Sequence, residues 1–294
     1  MINRILNLVN IKIINPLQSL PVQWYYSLKK DYSLLNENNC NHHIVVSLTS
    51  FPPRFRTLHL AIKSILNQKM KPDVILLCLA KEEAKNEFDL PDSIIDLKKY
   101  GLQILYIEEN LKPHKKYLYA MKNYPNSIII TVDDDIMYDK NLIKDLYDSY
   151  LKYPYAVSAR RVHKIIKDKN NNILPYTDWL YEYKKEKKPS LDLIATGVGG
   201  ILYPPCLLPP ETFDTEKIKK LCLNADDIWL KFMELKINIP VVCAKGRRIH
   251  PYTITNTQKI TLQKNIRNKK LNDIYLTLLQ DFYNIDIASF INNN

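Results

Sequence analysis

Three consecutive carboxylates, Asp133-Asp134-Asp135, follow directly on the apolar, β-branched run Ile128-Ile129-Ile130-Thr131-Val132. Such a run reads as a buried strand of a parallel sheet. Open α/β sheets bind ligands in the crevice beyond the carboxyl ends of their strands, so the acidic groups are delivered where a ligand would sit. Neighbouring carboxylates repel, and a hard divalent cation relieves that repulsion. Mg²⁺ or Mn²⁺ takes one or two such oxygens and completes its shell with phosphate oxygens of a substrate. A solvated acidic turn is the plain alternative. A Ca²⁺ loop of the helix–loop–helix type needs alternating ligands, a Gly and a distal Glu, whereas Ile136-Met137-Tyr138 follows here.

A second acidic pair, Asp226-Asp227, opens the helical pattern Asp226-Asp227-Ile228-Trp229-Leu230. Carboxylates are favoured at helix starts as caps, but two are more than a cap requires, and the other can serve as a general base. His250, after Arg247-Arg248-Ile249, is either structural or a third ligand beside the carboxylates, since imidazole complements oxygen donors for Mn²⁺. Lys115-Lys116 open a helix after His114 and either touch a diphosphate or lie on a solvated face. Arg54, just past the first strand, is well placed for a nucleotide. Thr196-Gly197-Val198-Gly199-Gly200 holds three of the five glycines in the chain, which points to unusual dihedrals or a close ligand approach.

The elements that must position these residues alternate. Strands read at Ile44–Thr49, Val74–Leu79, Leu102–Ile107 and 128–132, with helices at Thr57–Gln68, Ser93–Tyr100 (ended by Gly101) and Lys115–Asn123. Strand–helix alternation is the signature of a parallel sheet with crossover helices. Beyond residue 150 the spacing predicts a strand at Ala156–Ala159 and a hairpin in which Val162–Ile166 and Ile173-Leu174 flank the turn 168–172. A lid-like loop at 176–190, a helix at Asp226–Leu235, a strand at Pro240–Cys243 and a helical region over Thr257–Phe282 follow. The expected division is an N-terminal helical extension (1–40), a catalytic α/β domain (41–255) and a C-terminal helical region (256–294).

Bulk properties narrow the class. A net charge of +11 over 294 residues suggests a polyanionic partner. Nucleic acid is not expected, because the basic residues are dispersed and no zinc-finger, RNP or basic-region pattern occurs. A phosphorylated donor or an anionic membrane explains the sign. The five cysteines (Cys40, Cys78, Cys206, Cys222, Cys243) have neither CxxC nor ligand spacing, so a reducing cytoplasm is expected. No run is long enough to span a bilayer. Residues 1–30, with Arg4, Lys12, Lys29, Lys30 and Trp24-Tyr25-Tyr26, are either an interfacial amphipathic segment or a helix packed on its own domain.

The succession Val-Ser-Leu-Thr-Ser-Phe-Pro-Pro-Arg (46–54), Lys-Ser-Ile-Leu-Asn-Gln (63–68), Ile-Thr-Val-Asp-Asp-Asp (130–135), Thr-Gly-Val-Gly-Gly (196–200) and Ala-Asp-Asp-Ile-Trp-Leu (225–230) resembles bacterial glycosyltransferases of the GT-A fold. These are related to glycosyltransferase family 2 and are often linked to capsule or lipopolysaccharide synthesis. The resemblance spans about residues 44–250 and implies a Rossmann-like, mostly parallel sheet flanked by helices, with helical extensions at both ends. It implies that Asp133 and Asp135 hold Mn²⁺ or Mg²⁺ against the donor diphosphate and that Asp134 lies near the ribose, with His250 remaining the further candidate ligand. Thr49, Ser50, Phe51 and Arg54 would border the base, while Gly197, Gly199 and Gly200 would line the sugar and acceptor side; Lys115 and Lys116 remain the candidates for the diphosphate. Asp227, with Asp226 as second candidate, would deprotonate the acceptor. The implied activity is inverting transfer from a nucleotide-diphosphate sugar, UDP-linked by expectation, to a glycan or lipid-linked acceptor, at the cytoplasmic face of the inner membrane or in the cytoplasm. One feature departs from the family: the Asp that usually ends the second strand is replaced by Lys81-Glu82-Glu83. Two alternatives are a nucleotidyl- or polyol-phosphate transferase, which uses the same carboxylate–metal site, and a non-catalytic module binding polyanions or membrane.

Overall fold

The structure is a computed structural model and describes residues 15–35, 42–246, 251–257 and 266–291. Its centre is a seven-stranded sheet built from β1 (Ile44–Thr49), β2 (Val74–Ala80), β3 (Leu102–Ile107), β4 (Ile128–Thr131), β6 (Val157–Ala159), β9 (Ile201–Tyr203) and β10 (Val241–Cys243). The spatial order is β10-β6-β9-β4-β1-β2-β3. All neighbours pair in parallel except β9, which is antiparallel to both β4 and β6.

Continuous apolar strands follow from burial on both faces. Val46, Leu48 and Ile130 point to one side, where they meet Leu58, Ile62 and Ile65 of α2 (Phe55–Leu66) and Leu146 of α5 (Leu142–Lys152). Val45 and Ile129, one residue out of phase, face Ala120 of α4 (Lys115–Asn123) on the other side. That side is extended by Trp229 and Phe232 of α7 (Asp226–Lys236) and by Leu279 of α8 (Ile266–Tyr283). The remaining helices are α1 (Asn15–Leu28), α3 (Asp92–Ile95) and α6 (Thr215–Leu221). A 3₁₀ turn continues α3 to Tyr100, and Gly101 ends it with φ +105°, a left-handed closure that favours Gly. This is the α/β class expected: a mostly parallel sheet between helical layers, with helices toward both ends of the chain. No helix among the described residues is long and apolar enough to cross a membrane.

The strand order fixes where a ligand can enter. From β1 the chain winds outward through β2 to β3, then returns to place β4 on the opposite side of β1. The reversal opens a crevice beyond the carboxyl ends of β1 and β4, between the segment after Thr49 and the one after Thr131.

Two small ladders complete the frame. β5 (Ile136–Met137) pairs with β11 (Tyr252–Thr253), and β7 (Val162–Lys164) pairs with β8 (Leu193–Ala195). The predicted hairpin closes at its turn, with the bridge Lys167–Ile173 and the bonds from Leu174 N to Ile166 O and from Asp168 N to Asn172 O (2.8 Å each), while residues 162–164 of its first arm take their ladder partner from 193–195. The apolar Leu193, Ile194 and Ala195 bury on this pairing, which the polar turn cannot offer. Of the helical region read over Thr257–Phe282, the described helix covers Ile266–Tyr283, and 258–265 lie outside the described residues.

Candidate active site

After β1, Pro52 and Pro53 at the first positions of a 3₁₀ turn pre-set the backbone and swing Arg54 back over the strand end. The Arg54 guanidinium stacks over the Phe51 ring at 5.2 Å and pairs with Asp134, with its second Nη 3.1 Å from Asp135. Ser50 Oγ donates to Asp134 Oδ2 at 2.5 Å. Asp134 and Asp135 thus face the β1 side of the crevice. Arg54 Nε is buried without a hydrogen-bond partner. Such an orphaned donor is costly unless something accepts from it, and a ligand oxygen would.

Asp133 turns the other way. Its backbone N–H donates to Tyr138 Oη (2.9 Å), and its carboxylate receives Lys116 Nζ at 2.9 Å. The same ammonium lies 3.0 Å from Asp226 at the start of α7. Asp227, beside it, accepts from Gly197 N at 3.4 Å. Neither carboxylate is the N-cap, which is Ala225 with no side-chain acceptor, though both lie in the first helical turn. Gly197 is needed for close approach: a Cβ there would stand 2.9 Å from both Asp133 Oδ1 and Lys116 Nζ. The two acidic segments, almost a hundred residues apart in the chain, therefore meet across one lysine.

The charges shape each other. Burial would lower Lys116, but Asp133, Asp226 and Asp227 outweigh it and hold the ammonium well above the ordinary range. Burial would raise Asp226, but Lys116 keeps it below the usual carboxylate range. Asp227 is pushed up to about 8 by burial and then by the charge of Asp226. Asp135 is pushed up to about 7, first by burial, with Arg54 opposing and Asp134 and Asp133 adding to it. Two adjacent carboxylates driven apart in acidity divide naturally into a fixed anion and a proton acceptor.

The structure brings Ser50, Phe51, Arg54, Asp133, Asp134 and Asp135 together at the crevice, and Lys116, Gly197, Asp226 and Asp227 with them. It does not bring Lys115, whose side chain, 1% exposed, pairs with Glu83 after β2. The Thr49 hydroxyl donates to Cys78 O (2.7 Å) and ties β1 to β2. Gly199 packs on the Arg161 backbone, and Gly200, at φ +78°, turns the chain into β9. His250, with Arg247 and Arg248, lies outside the described residues. Two contributors carried no site role in the sequence. Tyr138 fixes the Asp133 backbone, and buried His114, held by Cys222 O (2.9 Å) and Tyr117 Oη (3.0 Å), steadies the approach to α7. Only the juxtaposition of distant segments reveals them.

The donor set suits Mg²⁺ or Mn²⁺. Among the described residues no three His, Cys, Asp or Glu side chains form a ready-made cage. One or two carboxylates completed by substrate oxygens is how Mg²⁺ is usually held, and the pKa of Asp135, raised by burial and then by the charges of Asp134 and Asp133, reflects an anion that a divalent cation would stabilise.

No protein-family model matches the chain, and no curated protein sequence matches it. Solved structures similar to it include 4-diphosphocytidyl-2C-methyl-D-erythritol synthase from Anaerococcus prevotii, at 16% identity over 74% of this chain and 95% of that one, with a TM-score of 0.47. S. aureus TarS (residues 1–349) is 14% identical over 80% of this chain and 70% of that one, TM-score 0.45. The mannosyltransferase PcManGT from Pyrobaculum calidifontis, in complex with GDP-Man and Mn²⁺, is 11% identical over 97% and 83%, TM-score 0.46. At these identities and scores the likenesses assign no function, and the reading below rests on the site.

Proposed function

We propose that this protein is a metal-dependent glycosyltransferase that moves a sugar from a nucleotide-diphosphate donor, a UDP-sugar by expectation, to a hydroxyl of a glycan or lipid-linked acceptor in surface polysaccharide synthesis. The observation that carries the reading is the Lys116 bridge, which joins a strand-end carboxylate, Asp133, to the helix-start pair Asp226-Asp227. A phosphate-side cluster and a titratable base thereby share one cleft. Residues 41–255 form the catalytic unit in this reading, with helical extensions on either side.

The roles are those the resemblance implies. Asp133 and Asp135 would hold Mn²⁺ or Mg²⁺, with His250, outside the described residues, as the further candidate ligand; bound there, the cation would stabilise charge on the departing diphosphate. Asp134, fixed by Ser50 and Arg54, faces the ribose, and Phe51 and Arg54 border the nucleotide. Lys116 adds a buried positive charge beside the reacting centre, strongest where water is excluded. Asp227 takes the acceptor proton as the acceptor oxygen bonds to the anomeric carbon. The bond from that carbon to the diphosphate breaks on the opposite face, so configuration inverts and a nucleoside diphosphate leaves.

The test is a donor screen by thermal shift with and without Mn²⁺, since ligands of the native state raise its melting temperature, followed by product analysis. Asp135→Ala is expected to lose the metal-dependent shift, and Asp227→Asn to keep it while losing transfer by ~10²-fold or more. Release of pyrophosphate or nucleoside monophosphate instead of nucleoside diphosphate would replace this reading with nucleotidyl or polyol-phosphate transfer. Near-normal turnover in Asp227→Asn would remove the base assignment.

A further inference from the structure

Helix α1 has two finished faces. On its inner side, Asn15 Nδ2 donates to Pro251 O (3.0 Å) and Asn15 Oδ1 accepts from Thr253 N (3.2 Å). Gln23 Oε1 accepts from Thr255 N (3.1 Å) and Thr255 Oγ1 (2.9 Å), and Tyr26 is buried against Leu60, Ala61, Met137 and Ile254. On the outer side stand Leu17, Leu20, Trp24 and Leu28, exposed by 63, 51, 69 and 58%. Their spacing of three, four and four residues puts them in one strip along the helix. Polar side chains would be expected on a helix face turned to water. Here Asn15 and Gln23 point inward as fasteners, and four large apolar side chains point out beside the exposed Gln18 and Ser27.

We propose that this strip docks the protein on an anionic phospholipid surface. Two arguments favour lipid over a protein partner. The first is charge: residues 1–30 contain Arg4, Lys12, Lys29 and Lys30 and no Asp or Glu, and basic residues near a membrane are attracted by anionic headgroups. The second is shape. A strip one helix face wide falls short of the ~800 Å² per partner of a stable protein interface. It matches an interfacial helix, which sinks its apolar side into the headgroup boundary with Trp at that depth. At its end an open hollow of about 480 Å³ is lined by Trp24, Tyr25, Leu28, Lys29, Lys30 and Asp31, with the Lys29 ammonium held by Asn67 Oδ1 at 2.5 Å and Lys30 exposed beside it.

The docking does not depend on the transferase reading, but its location bears on it. The inner face of α1 grips the 251–255 segment, where β11 pairs with β5, and Ile254 N donates to Asp135 O at 2.8 Å. The membrane face and the acidic crevice are therefore joined through one strand, so docking holds the cleft near the bilayer, within reach of a lipid-linked hydroxyl.

The experiment is co-sedimentation of the full chain with phosphatidylcholine vesicles, with and without phosphatidylglycerol. Trp fluorescence is read in parallel: Trp179 and Trp229 are buried, so quencher access reports Trp24. Binding ~10-fold or more tighter to the anionic vesicles is expected, with protection of Trp24 from quencher. Leu20→Glu/Trp24→Glu is expected to lose at least ~10-fold of that binding at an unchanged melting temperature, since both side chains are exposed. Three results overturn the proposal: no vesicle binding by the parent chain, equal binding by parent and variant, or self-association through this face without vesicle binding.

Discussion

The Lys116 ammonium lies 2.9 Å from the Asp133 carboxylate, although one residue belongs to the first turn of α4 and the other lies just past the end of β4. With Asp226 at 3.0 Å on its far side, this cation is the hinge of the site. Its side chain is 7% exposed, so it cannot be replaced by water without leaving two carboxylates in a poorly solvated cleft.

Gly197→Ala tests how tightly that hinge is fitted. The new Cβ would stand 2.9 Å from both Lys116 Nζ and Asp133 Oδ1 and would part the pair. The expected outcome is a loss of ~10²-fold in kcat, the scale of a small misplacement at a reacting centre, with far-UV circular dichroism unchanged. Full activity in Gly197→Ala would show that the Lys116–Asp133 contact is not part of the working site.

In the proposed mechanism the working form of Asp227 is the carboxylate, and burial followed by the Asp226 charge pushes its pKa up to about 8. The free enzyme's kcat/KM is therefore expected to rise as pH rises through about 8. Asp226→Asn removes the neighbouring negative charge and moves that limb to lower pH. The stability sign is opposite. A carboxyl raised in the fold contributes stability that is fully present below the unfolded value of about 4 and is lost as pH climbs through about 8. Asp227→Asn should flatten the fall in melting temperature across that window, and parallel profiles for the two proteins would contradict the assignment.

The Lys115–Glu83 pair is expected to be structural. Lys115 is 1% exposed, and Glu83 Oε2 also accepts from Ala80 N at 3.0 Å beyond β2. Glu83→Ala leaves an unpaired buried ammonium and should cost ~3 kcal/mol in urea unfolding. Glu83→Ala/Lys115→Met removes both charges and should recover much of that loss. A double variant less stable than Glu83→Ala would rule out the pairing as the source of the effect.

Much of this architecture is local and was legible in the chain. The bounds of β1, β3 and α4 coincide with those read from apolar periodicity, and Gly101 closes its helix as its residue type requires. The acidic triplet falls at a strand end and the acidic pair at a helix start, each at the edge of an apolar run, although Asp134, Asp135 and Asp226 are themselves buried by the elements packed over them. The antiparallel insertion of β9 was not legible, because Ile201–Tyr203 carries no local mark of which neighbour it will join or in which direction.

Residues 115 and 116 show the boundary between the two kinds of information. The sequence by itself determined that two lysines open a helix and that carboxylates end a nearby strand. Successive helical residues point about 100° apart, so one lysine of the pair can enter the cleft while the other turns away. Only the tertiary structure decided that Lys115 meets Glu83 and Lys116 meets Asp133 and Asp226. Those partners are brought close by strand order and helix docking, and the charge of each pair is fixed by a burial that no local segment carries.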